Sequence, residues 1–109
     1  MIFRFLLKDL SNKFYSTISS NMTKKALVFL AEGAEEMETV ITVDTLRRAG
    51  IEVTLAGLNG DSPVLCSRNV RVVPDVALDS VSSQTFDAVI VPGGLKGAEA
   101  CSLVSNFLL

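Results

Sequence analysis

The 109-residue chain contains no histidine. Any Ser-His or Cys-His nucleophile and any histidine-ligated metal built from its own residues are therefore excluded, and with them most familiar hydrolase and zinc chemistry. Cysteine is scarce, with only Cys66 and Cys101, which are far apart and form no CxxC pair. A disulfide scaffold is thus not encoded, and the usage is that of a reducing compartment. No apolar run reaches the roughly 18 residues that a membrane-spanning helix needs. Positive charge is not in excess either: ten Lys and Arg stand against twelve Asp and Glu, a formal net charge of −2. That balance argues against a nucleic-acid-binding surface. Internal repeats and low-complexity tracts are absent as well. What is present is apolar material, 49% of the residues against 20% charged. This suffices for a core, carries no signature of disorder, and at this length predicts one domain.

Residues 1–21 differ from the rest. Phe3, Leu6, Leu7, Leu10 and Phe14 fall at i, i+3, i+4, i+7 and i+11, with Arg4, Lys8 and Lys13 off that stripe. The spacing predicts a basic amphipathic helix, followed by the serine-rich Ser16–Ser20. The pattern matches a mitochondrial transit peptide, with Asp9 departing from the acid-poor rule. A secretory signal fits worse, because Arg4 interrupts a short apolar run. The alternative is an untranslated or disordered leader with Met22 as the start, which leaves the protein in the cytoplasm. Both place 1–21 outside the fold and 22–109 in it.

Residues 24–31 form a short continuous apolar run, as expected of a strand buried on both faces of a parallel sheet. Glu35 to Ala49 places Met37, Val40, Ile41 and Leu46 on one stripe, begins with acids that suit a helix N-terminus, and stops at Gly50. It predicts an amphipathic helix with a glycine cap. Ile51 to Gly57 is β-branched and apolar again, which completes a βαβ unit with a parallel strand pair. After the turn cluster Asn59-Gly60-Asp61-Ser62-Pro63, residues 64–67 and 70–73 predict a small hairpin that ends at Pro74-Asp75. Phe86 to Val91 is a further buried strand running into Pro92-Gly93-Gly94. Leu103, Val104, Phe107 and Leu108 stand at helical spacing beyond it. The fold class is α/β.

In an open α/β sheet, ligands sit beyond the carboxyl ends of the strands. Two loops fall there, one at 31–38 and one at 92–97. A dinucleotide fingerprint fails in the first, which offers only Gly33 and clustered acids that repel pyrophosphate. The second offers Gly94 and Gly97 without the leading glycine.

The run "KALVFLAEGAEEMETVITVDTLRRAGIEVTLAGL", then "VLCSRNVRVVPD" and "FDAVIVPGG", resembles the N-terminal half of the DJ-1/PfpI superfamily, specifically its Parkinson-disease-associated protein deglycase branch. The likeness covers roughly residues 24–98 and rests on "GAEEMET", "CSR" and "PGG" in that order. It implies a flavodoxin-like, doubly wound parallel sheet, a homodimer, and protection from oxidative and carbonyl stress. The implied chemistry is of glyoxalase or deglycase type at a reactive cysteine, on a small carbonyl substrate or a glycated protein. No metal or cofactor is implied.

Position by position, Glu38 matches the family acid whose protonated carboxyl donates to the cysteine sulfur; a neighbouring acid can stabilise a thiolate or hold its sulfinate. Without the resemblance, Glu38 is one of several first-turn acids that a helix dipole favours. Gly94 matches a backbone N–H donor to an oxyanion, with Gly93 an ordinary turn glycine. Arg48 and Arg68 match arginines that line an anion site, the second supplied across the dimer interface, and a guanidinium fork suits a carboxylate or phosphate. Alternatively, Arg48 is a solvated cation at a helix C-terminus. Cys66 matches a secondary, redox-sensitive candidate cysteine and not the nucleophile; most such cysteines are buried and inert.

The family's nucleophile and a later histidine both lie further along than this sequence runs. Cys101 sits in "CSLVSNFLL", where the likeness is weak, and the catalytic role is not transferred to it. Two expectations follow. One is a redox-protective enzyme whose nucleophile is missing from this chain, inactive alone; the other is a non-catalytic, dimerising or chaperone-like interaction module that pairs through its first helix.

Overall fold

The computed structural model describes residues 6–7 and 22–94. Its elements are β1 (Leu6–Leu7), β2 (Lys25–Leu30), α1 (Glu36–Arg48), β3 (Glu52–Gly57), β4 (Val64–Leu65), β5 (Arg71–Val72), β6 (Val76–Ala77), a 3-10 turn (Leu78–Val81) and β7 (Ala88–Ile90). Five strands make one sheet in the order β1-β7-β2-β3-β6, and β4 and β5 form a separate antiparallel hairpin. β7, β2, β3 and β6 are parallel, with Ala26 opposite both Val53 and Ala88. The α/β class expected from the sequence is the observed one.

β2 is central, and its residues alternate between two cores. Ala26, Val28 and Leu30 pack with Val43, Val53, Leu55 and Ile90 beneath α1 and the hairpin. Leu27 and Phe29 point the other way, onto Ala56, Leu78, Val81 and Val89. A strand covered on both faces must be apolar at every position, which is why 26–30 shows no alternation. Each such side chain contributes about 1.5–3 kcal/mol on leaving water.

Gly50, at φ +81°, ends α1 in a Schellman turn: its N–H donates to the Arg47 carbonyl at 3.0 Å, and the Ile51 N–H to the Leu46 carbonyl at 3.1 Å. Arg47 then fastens the end of the helix to the sheet. It donates to Asp75 at 2.6 Å and to the Val53 carbonyl at 3.1 Å, while Asp75 also accepts from the Leu55 N–H.

Two sequence expectations need correction, and one element carries no sequence signal. The stripe of Met37, Val40 and Ile41 does not face the core; these side chains are exposed, and α1 buries Glu36, Thr39 and Val43 instead. Hydrogen bonds from the first turn to neighbouring loops set the rotation of the helix, and they override the apolar pattern. The short β6, beside β3, was not anticipated, because two residues carry no periodicity. Leu6–Leu7 is a strand and not a helical turn, antiparallel to β7 with Leu6 opposite Val89, so this part of 1–21 joins the sheet and does not lie outside the fold. An otherwise open edge presents unpaired N–H and C=O groups that outweigh a weak local helical preference. The rest of 1–21 and the helical spacing at 103–108 lie outside the described residues.

Candidate functional site

From β2 the chain winds outward through β3 to β6, then returns to place β7 on the other side of β2. The strand order therefore reverses between β2 and β7, and a crevice at their carboxyl ends is where such sheets receive ligands. Loop 31–35 follows β2, and loop 91–94 follows β7.

Backbone and carboxylate contacts lock these loops together. The Glu35 N–H donates to the Gly93 carbonyl at 2.9 Å, and the Gly93 N–H donates back to Glu38 Oε2 at 2.6 Å. The Glu35 side chain caps the helix by accepting from the Glu38 N–H at 2.7 Å, the arrangement an N-cap acid adopts. Glu38 Oε1 has no partner among the described residues.

Gly94 has φ +78°, and a Cβ there would run into the Gly33 carbonyl oxygen and lie 2.7 Å from the Glu35 nitrogen. Only glycine lets the two loops approach this closely. Gly93 is more than an ordinary turn glycine, because the Glu38 carboxylate occupies the space its Cβ would take, 2.6 Å away. The signal for it was the "PGG" run, which does not reveal which carboxylate its second member meets.

Glu36 was missed as a functional position. Only 8% exposed, it accepts from the Ser67 hydroxyl and from the Arg68 N–H, both at 2.7 Å, and so pins the hairpin turn to the start of α1. The Ser67 hydroxyl, supported by the backbone amides of Arg68 and Val70, holds the Glu36 carboxyl below its ordinary pKa against the opposing effect of burial. The turn is fastened further by the Gly33 N–H on the Leu65 carbonyl and the Ser67 N–H on the Ala34 carbonyl, each at 2.9 Å.

Cys66 is buried beside this junction. Burial pushes its thiol pKa up, and the nearby Glu36, Glu32 and Glu35 carboxylates push the same way. Such surroundings suppress the thiolate and disfavour Cys66 as a redox-reactive group. Arg48 and Arg68 are not brought together within one chain. Arg48 is exposed at the end of α1, with Nε on the Asp44 carboxylate at 2.9 and 3.0 Å. Arg68 lies by the start of α1, at the opposite end of that 13-residue helix from Arg48. Cys101 and the 95–97 part of the second loop lie outside the described residues. Among the described residues no group of three or more His, Cys, Asp or Glu is placed to hold a metal ion, and no helix is long and apolar enough to cross a membrane.

A mostly parallel sheet with a carboxylate and a pair of glycines converging at its switch point defines an α/β protein of the doubly wound class. Within that class the chain belongs to the DJ-1/PfpI family, whose model matches residues 24–108. It is 57% identical over 90 residues to Protein dj-1beta of Drosophila melanogaster, covering 80% of this chain and 48% of that protein. The crystal structure of Drosophila melanogaster DJ-1beta superposes with a TM-score of 0.71 at 56% identity, over 79% of this chain and 46% of that one. A Caenorhabditis elegans relative named glutathione-independent glyoxalase is 49% identical over 72 residues, 65% of this chain and 38% of its own length. The chain thus spans less than half the length of these relatives.

Proposed function

We propose that this chain contributes the supporting half of a DJ-1-type site that defends against carbonyl and oxidative stress, by glyoxalase or deglycase chemistry on a small carbonyl compound or a glycated protein. The Glu38–Gly93 contact at the switch point carries this reading. A thiolate adding to a carbonyl carbon builds charge on the oxygen, which a backbone N–H at the glycine loop can receive. A carboxyl group fixed by Gly93, with Oε1 holding no partner among the described residues, can hydrogen-bond the attacking sulfur. The name of the worm glyoxalase relative supports the substrate class.

These 109 residues hold no histidine, and burial pushes the Cys66 thiol pKa up, away from the reactive thiolate. Purified chain should consume methylglyoxal no faster than buffer. Turnover that Cys101→Ser abolishes and Cys66→Ser spares would overturn the proposal of inactivity alone. The basic stripe of 1–21 supports mitochondrial import, with the cytoplasm as the alternative. A reporter carrying residues 1–25 should enter the organelle, and purely cytosolic fluorescence would count against import.

A second observation favours a homodimer, whether or not the chain is catalytic. Met37, Val40 and Ile41 are 65%, 52% and 57% exposed on one face of α1. Two copies packed through this face with antiparallel helices would set Arg48 near the partner's Arg68, assembling the anion site that neither chain builds alone.

A further inference from the structure

We propose that Asn59-Gly60 is a site of spontaneous deamidation in the folded protein, which places an aspartyl or isoaspartyl carboxylate on the rim of the cavity beyond β2 and β3. Asn59 is exposed in the turn that follows β3, and its side-chain amide makes no hydrogen bond to any described residue. Gly60 offers the attacking nitrogen least steric hindrance, and at φ +125° it holds a backbone conformation few other residues adopt. Its N–H is only loosely engaged, at 3.4 Å from the Gly57 carbonyl oxygen. A free side chain, an unhindered neighbour and a weakly held amide are the conditions for imide closure.

The Gly60 nitrogen attacks Asn59 Cγ. The new N–C bond closes a five-membered imide, Nδ2 departs, and the proton shed by the Gly60 nitrogen leaves with it as ammonia. Water then opens either carbonyl, giving aspartate or isoaspartate and releasing a proton; nothing is oxidised or reduced. One negative charge is added to a chain of formal net charge −2.

Position gives the product consequence. Asn59 and Gly60 line a cavity of about 70 Å³ with Glu32, Ser62 and Val64, so the new carboxylate joins one already there. Isoaspartate also lengthens the main chain by one carbon beside Gly57, where the Gly60 carbonyl leaves no room even for a Cβ. Asn69 is an internal contrast: it is exposed too, but precedes β-branched Val70, whose side chain hinders the same attack.

The test incubates the folded chain in mildly alkaline buffer beside a urea-unfolded sample, with mass spectrometry of the tryptic peptide that holds Asn59. Labelling by an isoaspartyl-specific carboxyl methyltransferase gives a second readout. A mass gain of one dalton at Asn59, with methyl labelling that Asn59→Gln removes, at a rate on the order of the unfolded chain's, is expected. Asn59 left intact in the folded chain while the unfolded chain converts, or Asn69 converting equally fast, would overturn the proposal.

Discussion

Gly94 and Gly50 both hold positive φ, yet their surroundings separate them. A Cβ at Gly50 meets nothing within 4 Å, so Gly50→Ala carries only the left-handed backbone penalty of about 1–2 kcal/mol. At Gly94 that penalty is joined by collision with backbone atoms of the 33–35 loop, which cannot swing aside as a side chain would. Urea unfolding midpoints should therefore fall further for Gly94→Ala than for Gly50→Ala. Equal losses would mean that the two loops are not in contact.

The Glu36 carboxyl titrates below its ordinary pKa in the fold, so the unfolded chain binds more protons between the two values. Its stabilising effect is present above the ordinary carboxylate range and is lost as pH falls through the folded value. Ser67→Ala removes the largest cause of the shift. Relative to the parent chain it should be less stable near neutral pH, and the gap should narrow in acid, as read from urea midpoints across pH.

At the scale of the element, α1 carries two faces with different tasks. Its buried face is small and polar at the start, Glu36 and Thr39, and the Thr39 hydroxyl is satisfied by the Glu35 carbonyl at 2.9 Å. Its apolar face is outward, with Met37, Val40 and Ile41 exposed, and a pairing interface would bury such surface. If that face pairs two chains, Ile41→Glu should convert a dimer to a monomer in sedimentation velocity while leaving the unfolding midpoint of dilute protein nearly unchanged. A dimer that persists would move the interface elsewhere.

For the molecule as a whole, the sheet divides two cores that share β2. Phe29 is fully buried on the 3-10 side, whereas Val43 closes the α1 side at 8% exposure. Phe29→Ala should cost about 3–5 kcal/mol, a large part of a typical margin of about 5–15 kcal/mol. Because β2 belongs to both cores, a single cooperative transition is expected in calorimetry for parent and variant alike. Separate transitions would show that the two faces unfold independently.

The βαβ unit was legible in the sequence because its signals are local: continuous apolar runs at 26–30 and 51–57, acids before Met37, and a glycine where the helix stops. The same locality made the hairpin and the strand into "PGG" visible, and the order of short motifs pointed to the family. Which face of α1 turns inward was beyond that reach. Apolar spacing describes a stripe but not what lies across from it, and hydrogen bonds between residues far apart in the chain, Glu36 with Ser67 and Arg68 and Glu38 with Gly93, decided the rotation. The site divides in the same way. The residue types at Glu38 and Gly94 follow from sequence, but their convergence, the part played by Gly93 and the separation of Arg48 from Arg68 depend on the strand order reversing between β2 and β7, a property of the packed sheet that no stretch of chain holds by itself.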